Sequence, residues 1–319
     1  MNPDLTAVQL RLPATSANLG PGFDAAALAL GLFLEIEAVP ASQFSIEAHG
    51  RNANICANLN RNLLLQTYES VLEAEQKPVL PLEIRMRNGI PIGMGCGSSA
   101  AVRLAGVALA SAFGGLKWNS GRIVDSAVRL EGHPDNVAAC WHGGLTIAAN
   151  LDSLAIISIP PPIKWQAVLV LPHVPLSTAK ARSALPETYS REDVVANLQC
   201  ASLLTAAFAL GRSDLMQQAT RDRLHQPYRA QLCPLLPALL PLAGSQEVMS
   251  VTLSGAGPSV LLLTQEPPSE NLKRTIQELA EPVCPVEILP SELSRYGAVM
   301  TQGQGSMAKR LFEFSSDVT

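Results

Sequence analysis

Between Pro91 and Ala101 the chain reads Pro-Ile-Gly-Met-Gly-Cys-Gly-Ser-Ser-Ala-Ala, so Gly93, Gly95 and Gly97 alternate with single residues and run into two serines. A stretch so poor in side chains lets backbone N–H groups approach an anion. The alanine-rich helical pattern behind it adds roughly half a positive charge at a helix N-terminus. The chemistry implied is a phosphate cradle without a lysine, leaving the Ser98 and Ser99 hydroxyls for phosphate or Mg²⁺. A Walker A loop would end in Gly-Lys-Ser/Thr, and no lysine lies between Lys77 and Lys117. A dinucleotide fingerprint would read Gly-x-Gly-x-x-Gly, a different spacing. A tight strand-to-helix turn accounts for the glycines equally well, so other residues must decide.

Four further groups bear on that decision. Asn18-Leu19-Gly20-Pro21-Gly22-Phe23-Asp24 follows a short strand. It reads either as a self-capped turn or as a loop offering Asn18 to a hydroxyl or carboxylate and Asp24 to an ammonium group. Glu131-Gly132-His133-Pro134-Asp135-Asn136 lies one helix beyond the glycine loop, so the chain can return to its mouth. One carboxylate beside a phosphate cradle is the usual Mg²⁺ partner, while the paired His and Cys spacing of a zinc site is missing. Taken alone, His133 reads as a hydrogen-bonded turn residue. Ser254-Gly255-Ala256-Gly257-Pro258-Ser259 is a second glycine turn, by itself no more than a hairpin corner. Arg182 and Arg229 are either solvated surface residues or planar forks for a substrate carboxylate.

The elements that must position these residues follow from periodicity. Strands are expected at Val8–Leu12, Phe33–Val39, Phe44–Ala48, Leu82–Arg87, Leu145–Ala149 and Leu154–Ile159, with helices at Asn62–Glu75, Ser99–Phe113 and Ser120–Leu130. Pro160-Pro161-Pro162 cannot continue a central strand and marks the expected lobe boundary. Beyond it the pattern predicts strands at Ala167–Leu171, Met249–Leu253, Ser259–Thr264 and Val286–Leu289. Helices are expected at Arg191–Leu210, Ser213–Arg223 and Leu272–Leu279. The fold class is α+β, with lobes over 1–160 and 161–305 and a polar tail over 306–319.

With 319 residues, 47% of them hydrophobic, the chain can bury a large core. A net charge of -4 argues against a nucleic-acid partner. Six cysteines scattered singly read as reduced thiols in the cytoplasm. The N-terminus lacks the basic start and apolar core of a signal peptide, and the longest apolar run is too short to cross a bilayer. No membrane partner is expected, and a homodimer would be compatible with the composition.

Taken together, the Asn18–Asp24 segment, the Pro91–Ala101 loop and the Ser254–Ser259 turn resemble, in order, the three motifs of the GHMP kinase superfamily. The Glu131–Val137 and Asp222–Arg229 segments are most similar to its homoserine kinase branch. The resemblance covers nearly the whole chain. It implies an N-terminal lobe like ribosomal protein S5 domain 2, a ferredoxin-like C-terminal lobe, and ATP-dependent phosphorylation of the side-chain hydroxyl of L-homoserine in threonine biosynthesis. By the same resemblance Pro91, Ile92, Gly93, Met94, Gly95, Cys96, Gly97, Ser98, Ser99, Ala100 and Ala101 would wrap the ATP phosphates, with Gly255 and Gly257 from the other lobe. Ser98, Ser99 and Glu131 would hold Mg²⁺, and Asn18, Asp24, Asn136, Arg182 and Arg229 would hold homoserine. Some relatives carry an aspartate where Asn136 stands, and an amide cannot act as a base. The hydroxyl proton is therefore expected to leave through the phosphate or a water. Two alternatives stay open: another small-alcohol kinase of the superfamily, and a nucleotide-binding regulator without turnover.

Overall fold

The computed structural model describes residues 7–303 and the backbone of Lys309–Arg310. Most of the expected tail lies outside the described residues. A long hairpin organises the first lobe: β1 (Val8–Asn18) pairs along its length with β2 (Gly22–Pro40), both antiparallel. The register shifts between Pro13 and Ala14, where proline cannot donate to the ladder, and again between Ala17 and Asn18. β2 is long enough to serve two neighbours. Its second half pairs with β4 (Leu82–Asn88), which carries β3 (Ser45–Gly50) in parallel, and its first half pairs with β5 (Leu145–Asn150), which carries β6 (Leu154–Ile159).

Five helices accompany this sheet: α1 (Ala53–Cys56), α2 (Leu63–Ala74), α3 (Ser98–Phe113), α4 (Ser120–Glu131) and α5 (Asp135–His142). Asn62 caps α2 and Asn119 caps α4 through side-chain oxygens that accept first-turn N–H groups. α3 is the central helix, and its many alanines let neighbours pack close. At Gly106 even a Cβ would come 2.7 Å from Thr67 Cβ and 2.8 Å from the Leu64 carbonyl oxygen. α5 starts inside the Glu131–Asn136 segment, with Asp135 and Asn136 in its first turn, and no helix was expected there.

In the second lobe β7 (Gln166–Pro172), β8 (Val248–Leu253), β9 (Val260–Thr264) and β10 (Val286–Glu292) form an antiparallel sheet in the order β10-β7-β9-β8. Numbered within the lobe this order is 4-1-3-2, with helices in the two crossovers, which is the ferredoxin-like arrangement. The helices are α6 (Thr178–Arg182), α7 (Arg191–Ala209), α8 (Met216–Ala219), α9 (Gln226–Arg229), α10 (Leu235–Leu239) and α11 (Glu270–Ala280). β7 and β9 read as near-continuous apolar runs, and β8 is buried throughout despite Ser250 and Thr252, because both sheet faces are covered. Val168, Val170, Val251 and Leu262 pack with Leu236, Leu239 and Ile276, while Leu169, Leu171, Leu261 and Leu263 join the core that continues into the first lobe.

Two expectations are corrected. The helix expected over Ser213–Arg223 breaks after Ala219, because the Asp222 carboxylate instead caps the next turn, accepting from the N–H groups of Leu224, His225 and Gln226 at 2.9, 3.0 and 2.6 Å. From the 161–305 stretch, β11 (Val299–Gln302) pairs with β1 of the first lobe, and from the 306–319 stretch β12 (Lys309–Arg310) pairs with β11. Among the described residues no helix is long and apolar enough to cross a membrane.

Candidate active site

The hydrogen-bonding groups of four consecutive residues at the end of β1 tie together three segments far apart in sequence. The Thr15 N–H donates to the Cys96 carbonyl at 3.1 Å, and its hydroxyl donates to Asn136 Oδ1 at 2.6 Å. Ser16 Oγ accepts from Ser254 Oγ at 2.9 Å, and Ser254 Oγ also lies 2.8 Å from the Gly95 carbonyl oxygen. The Ala17 carbonyl accepts from Gly255 N–H at 3.1 Å. Asn18 Nδ2 donates to the Gly255 carbonyl at 2.8 Å while its Oδ1 accepts from Asp24 N–H at 3.0 Å. Thr15, Ser16, Ser254 and Asn18 are all buried. The hairpin turn beyond β1 is bent sharply enough that Asn18, Leu19 and Asp24 all take positive φ, at 72, 47 and 54°.

Above this staple lies the glycine loop. Gly93, Gly95 and Gly97 all have left-handed backbone, with φ of 72, 71 and 69°, while Met94 and Cys96 between them do not. Alternation of this kind turns successive N–H groups to one side and makes an anion-binding concavity, with the first turn of α3 directly behind. The Cys96 thiol is buried, which pushes its pKa up to about 12, so it is a packing residue of the loop. Ser99 Oγ donates to Glu131 Oε2 at 2.8 Å, and Arg103 Nε lies 2.8 Å from the same oxygen. The loop therefore has hard oxygen donors beside it, one hydroxyl and one carboxylate.

A cavity of about 400 Å³ beside this loop has two kinds of lining, taken as an apolar and a polar branch. One branch is apolar, lined by Leu34, Ile55, Leu63, Met86 and Ile90 with the amides of Asn62 and Asn88. The other branch holds Asp24, His133, Asp135, Asn136, Arg182 and Arg229. Arg182 grips Asp24 with both guanidinium nitrogens, at 2.9 and 2.7 Å. Arg229 is 1% exposed. Its Nε donates to the Ala181 carbonyl at 3.3 Å and its Nη1 to His225 Nδ1 at 3.1 Å. His225 is thus the Nε2–H tautomer, donating to the Gly20 carbonyl at 2.8 Å. Among the described residues Arg229 forms no ion pair, and burial followed by the nearby Arg182 charge lowers its pKa. A buried guanidinium of this kind is stabilised by an arriving anion. The Phe23 ring lies under both, with the Arg182 and Arg229 carbons 5.5 and 5.3 Å from its centroid.

The expected site residues are placed as follows. Ile92, Gly93, Gly95, Cys96, Gly97, Ser98, Ser99, Gly255 and Gly257 line the cavity, as do Asn18, Asp24, Glu131, Asn136, Arg182 and Arg229. Pro91, Met94, Ala100 and Ala101 do not; the two alanines lie fully buried in α3, facing the core. Asp24 and Arg182, expected to meet a ligand separately, meet each other. Two contributors went unread, Thr15 and Phe23, while His133, read as a hydrogen-bonded turn residue, bonds to the nearby Asp135. His133 Nδ1 lies 2.5 Å from Asp135 Oδ1. Burial lowers the His133 pKa, but the Asp135 hydrogen bond and charge, with Asp24 and Glu131, outweigh it and leave the pKa raised. Asp24, His133 and Asp135 also lie close enough to share a cation. Only the density of polar residues from Glu131 to Asn136 signalled that pair in the sequence; a lone Phe after Gly22 carries no signal.

Comparison with known proteins agrees with this geometry. Residues 62–144 match the family model described as GHMP kinases N terminal domain, and 204–281 the one described as GHMP kinases C terminal. The chain is 44% identical to a homoserine kinase of Solibacter usitatus over 79% of this chain and 84% of that protein. It is 39% identical to one of Thermus thermophilus over 81% and 87%. A solved homoserine kinase structure from Cytophaga hutchinsonii superposes with a TM-score of 0.78 at 23% identity, covering 94% of this chain and 98% of that one. A mevalonate kinase structure superposes at 0.63 and 16% identity, over 90% and 99%. By its two lobes, its lysine-free cradle and its sequence relatives, the chain belongs to the homoserine kinases of the GHMP kinase family.

Proposed function

We propose that this chain transfers the γ-phosphoryl group of ATP to the side-chain hydroxyl of L-homoserine, giving O-phospho-L-homoserine. The observation that carries this reading is one cavity with a nest of N–H donors at its centre and, in one branch, a buried guanidinium beside a carboxylate–guanidinium pair. That branch suits a small zwitterion. Its α-carboxylate would meet Arg229 and Arg182, and its ammonium group would meet Asp24. Mevalonate, with no ammonium group, would offer Asp24 no contact beyond the Arg182 pair it already has. The apolar branch would take the adenine, with Asn62 and Asn88 as hydrogen-bonding amides.

The chemistry required of the chain is positioning and charge neutralisation. The N–H groups of the loop and the first turn of α3 would face the phosphates and stabilise charge developing on them. Hard oxygen donors at Ser99 and Glu131, with the cavity-lining Ser98 beside them, fit Mg²⁺, which keeps several waters and takes few protein ligands. When bound, that ion would neutralise phosphate charge. Asn136 is an amide and cannot itself act as a base, and its carbonyl oxygen is taken by Thr15. In this reading the hydroxyl proton leaves to a phosphate oxygen or to water. We place the division between the lobes at Pro160–Pro162, with 1–160 carrying the cradle. All six cysteines are free thiols, in keeping with a cytoplasmic enzyme.

The test is ADP release with L-homoserine, mevalonate, L-threonine or no acceptor, each with and without Mg²⁺. Turnover is expected only with L-homoserine and only with the metal. Equal rates with mevalonate would refute the zwitterion reading, and acceptor-independent binding of ATP without turnover would favour a regulator.

A further inference from the structure

Thr15 is not among the residues that line the cavity, yet it bonds both to the phosphate loop at Cys96 and to Asn136 of the acceptor branch. It is fully buried. Its hydroxyl sits directly under the last glycine of the cradle: a Cβ on Gly97 would come 1.8 Å from Thr15 Oγ1 and 3.1 Å from Asn136 Oδ1. Its backbone N–H fixes the Cys96 carbonyl and its hydroxyl donates to Asn136 Oδ1 at 2.6 Å.

The direction of that last bond follows from the other side of the amide. Asn136 Nδ2 lies 3.4 Å from Asp135 Oδ1, and the Asn136 backbone N–H donates to the same oxygen at 2.7 Å. A flipped amide would set its carbonyl oxygen against a carboxylate oxygen and lose both the Thr15 and the Asp135 interaction. With Oδ1 held by Thr15, the Asn136 NH₂ remains the only group the side chain can offer to an oxygen in the cavity.

We propose that Thr15 is a positioning residue that locks the Asn136 amide with its NH₂ toward the acceptor and keeps that amide in register with the phosphate cradle. Resting on the acceptor site described under the proposed function, this makes Asn136 a hydrogen-bond donor to the reacting hydroxyl or the transferred phosphoryl group. Thr15 acts only through it. Valine at 15 would keep the shape and remove the donor; serine would keep the donor and lose the methyl group that fixes its rotamer.

Steady-state kinetics of Thr15→Val, Thr15→Ser, Asn136→Ala and the Thr15→Val/Asn136→Ala pair test the assignment. Misplacement of a reacting group by about 1 Å costs on the order of 10²-fold, so Thr15→Val is expected to lower kcat by roughly 10- to 100-fold while KM for ATP stays within about twofold. Thr15→Ser should recover most of the loss. In the Asn136→Ala background Thr15→Val should change kcat by no more than about twofold, since the partner it positions is gone. Independent, multiplying losses, or no effect of Thr15→Val on kcat, would overturn the proposal. A readout that needs neither variant nor turnover is the Thr15 hydroxyl proton in the wild-type protein. It should appear by NMR as a slowly exchanging resonance close to the Asn136 side chain, and its absence would count against the lock even if Thr15→Val failed to fold. Wild-type enzyme with no homoserine-dependent turnover would instead strike the proposed function, leaving the lock to be judged by that resonance.

Discussion

Gly95→Ala separates the shape of the cradle from the mere presence of glycine. Gly95 has φ of 71°, and a Cβ there would come 2.0 Å from the Ser254 carbonyl oxygen and 2.9 Å from that of Gly257. Left-handed backbone with a side chain costs about 1–2 kcal/mol. Displacing packed backbone adds about 1–3 kcal/mol, so the total is roughly 2–5 kcal/mol. Gly115→Ala is the control: its φ is 62°, but nothing lies within 4 Å of the added Cβ, so only the first cost applies. In urea unfolding Gly95→Ala should therefore be about 1–3 kcal/mol less stable than Gly115→Ala. It should also bind a fluorescent ATP analogue at least about tenfold more weakly, because the cradle must move off the Ser254 turn to make room. Gly115→Ala should bind it as wild type does. Equal stability of the two variants with unchanged nucleotide affinity would refute the close contact between the cradle and the second lobe.

Other predictions follow from single contacts. Glu131→Gln should raise the Mg²⁺ concentration needed for half-maximal rate by roughly tenfold or more, since one of few charged ligands is lost while the Ser99 hydrogen bond can remain; an unchanged Mg²⁺ dependence in a metal titration would remove Glu131 from the metal site. Arg229→Met should raise KM for L-homoserine at least about 100-fold while KM for ATP changes little, because a charge-assisted contact to a carboxylate is worth about 3 kcal/mol or more when buried; parallel changes in both constants would show that Arg229 serves the fold as a whole. His133 and His225 should titrate on opposite sides of the ordinary imidazole value of 6.5. For His225, burial lowers the pKa despite the nearby Asp222, so below about pH 6.5 the unfolded chain takes up a proton that the folded chain refuses, and stability falls as pH drops. For His133 the raised pKa gives a contribution that is full below 6.5 and lost as pH rises through the folded value. Histidine ring resonances followed by NMR from pH 5 to 8.5 check both, and a shared midpoint would contradict the two environments.

Much of this arrangement was legible because backbone geometry dictates residue type. Three glycines at alternate positions, a serine pair and an alanine-rich helix can be read as a cradle, since each position has a conformational reason to be what it is. The apolar alternation of Leu82–Asn88 and the continuous runs of β7 and β9 located strands to within a residue or two. What escaped was set by partners distant in sequence. The break after Ala219 depends on Asp222 capping the following turn, a choice between two local hydrogen-bonding schemes that periodicity cannot weigh. The return of Val299–Gln302 to β1 depends on an edge left open by the hairpin, 280 or more residues away in the chain. Thr15 looked like one small polar residue among several, and only its burial under Gly97 reveals what its hydroxyl holds. Asp24 and Arg182 were each readable as ligands for a zwitterion, while their mutual pairing required the two lobes to be brought together.

The most direct test of the central claim is ³¹P NMR of the products formed from ATP, Mg²⁺ and L-homoserine. A new phosphomonoester resonance coupled to the side-chain methylene protons of homoserine, growing in step with ADP, is the predicted result. ADP accumulating with inorganic phosphate alone, or no ADP at all, would contradict it.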